Sequence, residues 1–173
     1  MRRYAAATAA ALSLTAALAA PAAADGEGDG EWRPVTYSPI DYAAGVRCDF
    51  AFRIEQLVDE VMVKTVDTYP DGSPKTELYK GTLIARVINT ETGAFYDADA
   101  SGRSVVEYAE DGSQVWHATG PVLIGFQEGQ GNLPRGEYVV DGVYTVQFSP
   151  AGQRTVTWTG GTESLIDVCD QID

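Results

Sequence analysis

The feature that most constrains the fold is a period of two in the apolar residues, which begins after Cys48 and continues toward the C-terminus. Apolar and polar residues alternate in the runs 50–55, 75–89 and 154–159. This alternation is typical of a strand with one buried face, whereas a surface helix repeats its apolar residues with a period of about 3.6. No long run of helical spacing follows the N-terminal segment. The pattern therefore predicts an all-β protein.

Turn signals separate these runs, and they lie at 71–74, 92–93, 101–102, 111–113, 129–132 and 151–152. Their spacing predicts an antiparallel meander of about 8–9 strands, because short connections join neighbouring antiparallel strands. We expect a closed or nearly closed barrel, since closure removes the exposed edges through which sheets aggregate. A β-sandwich is the alternative.

The first 24 residues have the order of a secretory signal peptide. Arg2 and Arg3 give a basic start, an apolar run follows from Ala5 to Ala20, and small residues up to Ala24 form the exit. The run is shorter than the roughly 20 residues that span a bilayer, which disfavours an N-terminal membrane helix. We predict a secreted, extracellular protein with no membrane span in the mature chain. Either the general or the twin-arginine export route remains open.

The remaining chain divides into an acidic, Gly-rich linker at 25–46 and a single all-β domain at 47–173. The linker begins with alternating Gly and acids over 25–31, a flexible and self-repelling composition. Trp32, Tyr37 and Tyr42 are the residues that would attach part of it to the domain.

Two cysteines lie near the two ends of the predicted domain, Cys48 before its first strand and Cys169 in its last one. In an exported protein such a pair is read as a disulfide. Two free thiols are the alternative.

Composition excludes several function classes. The chain carries a formal net charge of −13, and nucleic acid is not an expected partner because phosphate binding needs a basic face. One His and two Cys exclude a self-contained multi-His or Cys₄ zinc site and a c-type haem attachment. No cofactor is predicted.

The best metal candidate is the segment containing Asp97, Asp99 and Ser101. Oxygen ligands at alternating positions before Gly102 are similar to the start of a calcium loop. The position where a calcium loop places its Glu is occupied by Tyr108, so the preferred interpretation is a strand end followed by a turn.

A catalytic alternative combines these acids or Glu107 with His117, as in a secreted hydrolase or cyclase-like barrel. A general base needs a nucleophile and an orienting acid within hydrogen-bond reach, and no nucleophile motif accompanies this His. Strand alternation places His117 opposite in facing to Trp116, hence on the outer surface.

Five aromatic residues fall on the predicted inward face of their strands: Tyr108, Trp116, Tyr144, Phe148 and Trp158. They are candidate ligand-binding residues, since an eight-stranded barrel holds either packed side chains or one small ligand. An ordinary core is the alternative.

The Gly-rich segment 125–136 lacks a phosphate-binding motif and is predicted to be a long loop. Gly30-Glu31-Trp32 has the Gly-x-Trp form found in lipocalins, but it lies in the linker.

Four features, in chain order, carry a resemblance: Cys48-Asp49-Phe50; Gly81-Thr82-Leu83 before Asn89-Thr90-Glu91-Thr92-Gly93; Glu110-Asp111-Gly112-Ser113 before His117–Pro121; and Arg154–Gly161 before Leu165–Cys169. In this layout the chain resembles uncharacterised secreted all-β proteins of GC-rich Gram-positive bacteria. The resemblance implies a fold, and it implies no activity, because none is known for that group.

The sequence thus leads to three hypotheses. The first is a secreted, non-enzymatic β-domain that binds a small apolar ligand or an extracellular partner. The second is a secreted enzyme that uses carboxylates and His117, and the third is a surface-associated protein assisted by calcium. Substrate, partner and oligomeric state are not readable from the sequence.

Overall fold

A computed structural model describes residues 30–173, so the predicted signal peptide and the start of the predicted linker lie outside the described residues. The strands are β1 Arg33–Pro34, β2 Ile40–Tyr42, β3 Phe52–Asp59, β4 Met62–Thr68, β5 Pro74–Lys80, β6 Leu83–Asn89, β7 Phe95–Asp99, β8 Arg103–Tyr108, β9 Gln114–Thr119, β10 Val122–Phe126, β11 Gly136–Phe148 and β12 Arg154–Asp167. One short helix, α1 Val168–Gln171, follows them.

The strands form two antiparallel sheets. Sheet A has the order β1-β4-β5-β8-β9-β11-β10, and β12 pairs with β11; sheet B has the order β2-β3-β6-β7. The all-β, antiparallel prediction is confirmed. The expected barrel is wrong, because neither sheet of the described chain closes on itself, and the β-sandwich alternative fits better.

Bends at glycine explain why the meander does not close. Only two residues separate β5 in sheet A from β6 in sheet B, and the first is Gly81 with φ +134°. A Cβ there would lie 2.2 Å from the backbone oxygen of Glu60, which belongs to the equally short link between β3 and β4. The β3–β4 link and the β5–β6 link therefore lie side by side, and at each of them the chain passes from one sheet to the other. Within residues 30–173, none of the strands β1–β7 pairs with β10, β11 or β12, so neither sheet closes.

One turn geometry recurs at equal intervals, at 69–73, 109–113 and 149–153. In each turn the first residue donates its N–H to the fifth residue's carbonyl over 2.9 Å, and the fourth residue is a glycine with φ between 81° and 85°. The turns join β4 to β5, β8 to β9 and β11 to β12. These three hairpins therefore share one turn geometry.

The first half of β11 is buried on both faces, since residues 136–140 are all buried. Val139 belongs to one core cluster, with Phe52, Val87 and Ile172, while Val140 belongs to a second. Strand alternation sends these two neighbours to opposite faces. This half-strand is therefore the middle layer between sheet B and the rest of sheet A.

The predicted disulfide is confirmed, with a Cα–Cα distance of 5.5 Å between Cys48 and Cys169. Cys169 lies in α1 rather than in the last strand, because Asp167 accepts a hydrogen bond from its N–H over 2.9 Å and starts the helix there.

Within the described part of the predicted linker, β1 pairs with β4 and β2 pairs with β3. The Tyr42 ring stacks on Phe52 at 4.8 Å.

Candidate functional site

The five aromatic candidates lie on one face of sheet A, called here the inner face. Trp116 is directly opposite Val146, which shares its face of β11 with Tyr144 and Phe148. Trp158 is opposite Tyr144, and Tyr108 shares its face of β8 with Val106, which is opposite Trp116. The period of two thus assigned these residues to a common face.

Four of the five are occupied in packing. Tyr144 is 1% exposed, and its hydroxyl donates to the backbone oxygen of Val140 over 3.1 Å. The Trp116 and Phe148 rings lie 4.7 Å apart, and Trp158 Nε1 donates to a backbone oxygen over 3.2 Å. These side chains belong to the second core cluster or pack against it.

A polar network on the same inner face was not predicted from the sequence. Glu77 is 4% exposed, and its carboxylate accepts four hydrogen bonds. Oε1 accepts from Arg33 Nη2 at 2.6 Å and from the Thr65 hydroxyl at 2.9 Å. Oε2 accepts from the hydroxyls of Tyr79 at 2.7 Å and Tyr108 at 3.0 Å. One feature of the sequence could have indicated this network: Glu77 lies two residues before Tyr79 and therefore on the same side of β5.

The network fixes the ionisation of its members. Burial alone would raise the pKa of Glu77, but hydrogen bonds from Tyr79, Thr65 and Tyr108 and the charge of Arg33 bring it below its usual value. Burial raises the pKa of Tyr79 and of Tyr108, so both hydroxyls stay protonated at neutral pH. A carboxylate offers about four lone-pair positions, and all four are used here. Glu77 therefore holds the tyrosines in place and has no acceptor left for a substrate proton.

Two clefts meet at Tyr108. A cleft of about 520 Å³ lies between the turns 69–73 and 109–113, and its lining includes Tyr69, Pro70 and Pro74 together with Tyr108. A cleft of about 360 Å³ shares Tyr69, Tyr108 and Ala109 with it. Both volumes fall within the roughly 300–1,000 Å³ typical of ligand sites. Of the five aromatic candidates, Tyr108 is the one that lines these two clefts.

A second group of buried polar side chains lies at the start of β11. Glu137 is 1% exposed and accepts a hydrogen bond from Arg47 Nη1 at 2.5 Å. Arg154 Nη1 donates to the backbone oxygen of Gly125, and burial lowers the pKa of Arg154, with the charge of Arg47 acting in the same direction. Among the described residues, Nε of Arg47 and Nε of Arg154 find no hydrogen-bond partner. This group joins the segment before Cys48 to β11 and β12.

The residues of the alternative calcium site, Asp97, Asp99 and Ser101, are engaged within the protein. Asp97 binds the Arg86 guanidinium through two hydrogen bonds of 2.7 and 2.8 Å. Asp99 Oδ1 accepts the N–H of Ser101 over 2.8 Å and shapes the turn after β7. Within residues 30–173, no group of three or more His, Cys, Asp or Glu side chains is arranged to hold a metal.

Of the residues in the catalytic alternative, Glu107 and His117 are brought together, on the outer face of sheet A. His117 Nε2 lies 3.4 Å from Glu107 Oε2, and the side chains are 49% and 58% exposed. Asp97 and Asp99 lie in sheet B, so they do not join this pair.

The described structure is a disulfide-linked, all-β fold of two antiparallel sheets, with an aromatic cleft between the turns 69–73 and 109–113 of sheet A. The chain matches no protein-family model, no curated protein sequence and no solved structure. The resemblance to secreted proteins of GC-rich Gram-positive bacteria stays a prediction. In the part of the chain that the structure describes, no helix is long and apolar enough to cross a membrane.

Proposed function

We propose that this chain is a secreted, non-enzymatic β-domain that binds an extracellular partner through the groove formed by the two clefts at Tyr69 and Tyr108. The observation that carries the proposal is the Glu77 network, which holds the hydroxyl of the cleft-lining Tyr108 in place through a hydrogen bond to the buried carboxylate. Binding sites are commonly built this way, with side chains held in place by a second set of contacts. The disulfide agrees with an oxidising compartment.

The catalytic alternative has less support. A general base must have a free acceptor near a substrate, and the buried carboxylate of Glu77 has none. The His117–Glu107 pair is largely exposed, so solvent screens the interaction between the two side chains. A small apolar ligand held among the inner-face aromatics is also less supported, since Trp116 and Phe148 already pack on each other.

The test is a titration of the isotope-labelled protein, followed by NMR, with four probes: hexa-arginine, hexa-glutamate, cellohexaose and palmitate. We expect one probe to shift the amide signals of Ser73, Ala109 and Gly112, which line the groove. Ala109→Trp fills the groove and should abolish these shifts. Ala151→Trp, at an exposed position of the third turn, is the matched control and should leave them.

Two results would show that the proposal is wrong. One is the absence of shifts at the turns with every probe. The other is a palmitate response centred on Trp116 and Phe148, which would instead support the apolar-ligand hypothesis.

A further inference from the structure

The groove at Tyr69 and Tyr108 has a chemistry that selects its partner. We infer that it binds a basic peptide segment of another extracellular protein, with an Arg or Lys side chain placed against the tyrosine rings. This inference rests on the proposed function, because it names the partner of the same groove.

The first argument is what the two tyrosines leave available. The Tyr69 hydroxyl donates to the backbone oxygen of Tyr108 over 2.7 Å, and the Tyr108 hydroxyl donates to Glu77 over 3.0 Å. Both polar ends are therefore turned into the protein. What remains for a ligand is ring surface, flanked in the first cleft by Pro70 and Pro74. Ring surface of this kind attracts cations.

The second argument is the charge around the rings. Asp71 and Glu110 line the first cleft, and Glu107 lines the second. The one basic residue in either lining is Lys75, whose Nζ is already paired with Asp67 at 2.8 Å. A hydrogen bond from the Ser73 hydroxyl, the largest cause, and one from its N–H hold the pKa of Asp71 below its usual value, so this acid remains charged. The groove thus combines an aromatic floor with an excess of acidic side chains, of which Glu107 also lies 3.4 Å from His117 Nε2.

The third argument is the field of the whole molecule. A formal net charge of −13 repels polyanions and attracts basic partners over long range. The protein also uses cation-over-ring contacts internally, with Lys80 Nζ 4.0 Å from the Trp32 ring centre and the Arg86 guanidinium 4.1 Å from that of Phe95. A basic side chain in the groove would repeat this arrangement with a partner. A neutral polysaccharide would gain nothing from the charge.

The experiment measures the fluorescence polarisation of fluorescein-labelled hexa-arginine at about 0.15 M salt, where charges more than roughly 8 Å apart are largely screened. Glu110→Lys changes the charge of the groove, and Glu128→Lys makes the same change at an exposed position outside both linings. We expect Glu110→Lys to weaken binding about tenfold or more, since tenfold corresponds to about 1.4 kcal/mol. We expect Glu128→Lys to weaken it less than about twofold, through general charge alone.

A second pair of variants separates groove binding from general charge attraction. Ala109→Trp leaves the net charge unchanged and should remove hexa-arginine binding, whereas Ala151→Trp should preserve it. Equal weakening by both lysine variants, or no binding at this salt concentration, would overturn the inference. If cellohexaose binds instead and Ala109→Trp blocks it, the binding function stands and the basic partner is wrong. If hexa-arginine binds and Ala109→Trp has no effect, the groove is not the site and both proposals fail.

Discussion

Replacing Glu137 by Gln removes the buried carboxylate that pairs with Arg47 and lies near Arg154. The Arg47 and Glu137 side chains are 13% and 2% exposed. Burial raises the pKa of Glu137, while the charges of Arg47 and Arg154 act in the opposite direction and favour the carboxylate. Breaking a buried pair by removing one partner costs about 3–5 kcal/mol, because the remaining charge stays out of water. We therefore expect Glu137→Gln to lower the free energy of unfolding by about 3–5 kcal/mol and the melting temperature by roughly 6–20 °C.

The measurement is urea unfolding followed by tryptophan fluorescence. Asp41→Asn is the matched control, since it makes the same chemical change in a pair with Arg53 whose side chains are 69% and 40% exposed. A surface pair of this kind contributes about 0–1 kcal/mol. Replacing Arg47 and Glu137 together by Met should cost less than Glu137→Gln alone, because one uncompensated charge is also removed. A loss for Glu137→Gln no larger than that for Asp41→Asn would refute the reasoning.

Three further results are expected. Reduction of Cys48–Cys169 should lower the unfolding free energy by about 5 kcal/mol, since the bond closes a sequence separation of 121; an unchanged urea midpoint with reductant would contradict this. Because the pKa of Glu77 is lower in the folded protein than its unfolded value of about 4.3, its ionisation stabilises the fold above about pH 4.3, and this contribution is lost as the pH falls through the folded pKa. The free energy of unfolding of Glu77→Gln should therefore fall less steeply below about pH 4.3 than that of the unchanged protein, and the same pH dependence in both proteins would argue against this. Gly81→Ala should lower the melting temperature more than Gly93→Ala, because position 81 combines φ +134° with a Cβ 2.2 Å from a backbone oxygen, whereas position 93 has φ +79° and open space around the Cβ. Equal losses would contradict the explanation that glycine is needed for the bend at position 81.

Part of the candidate site could be predicted from the sequence. Alternation placed Tyr108, Trp116 and Phe148 on one face, because side-chain direction in a strand is a local property. It gave no information on what covers that face, so packed aromatics and a ligand cavity were equally compatible with the pattern. The Glu77 network was missed because its Arg33 partner is 44 residues away in the sequence, and contacts of this kind have no local signature.

By itself, the sequence determined the all-β class, the antiparallel pairing and the disulfide, since these follow from a period of two, short turns and two cysteines near the ends of the domain. Only the tertiary structure showed that the sheets of the described chain do not close into a barrel, because the bend at Gly81 depends on the close approach of a neighbouring segment. It also decided that Glu77 and Glu137 are buried, since burial depends on which distant segments lie over a face. The groove at Tyr69 and Tyr108 exists for the same reason: two turns far apart in the chain are brought side by side by the pairing of β5 with β8.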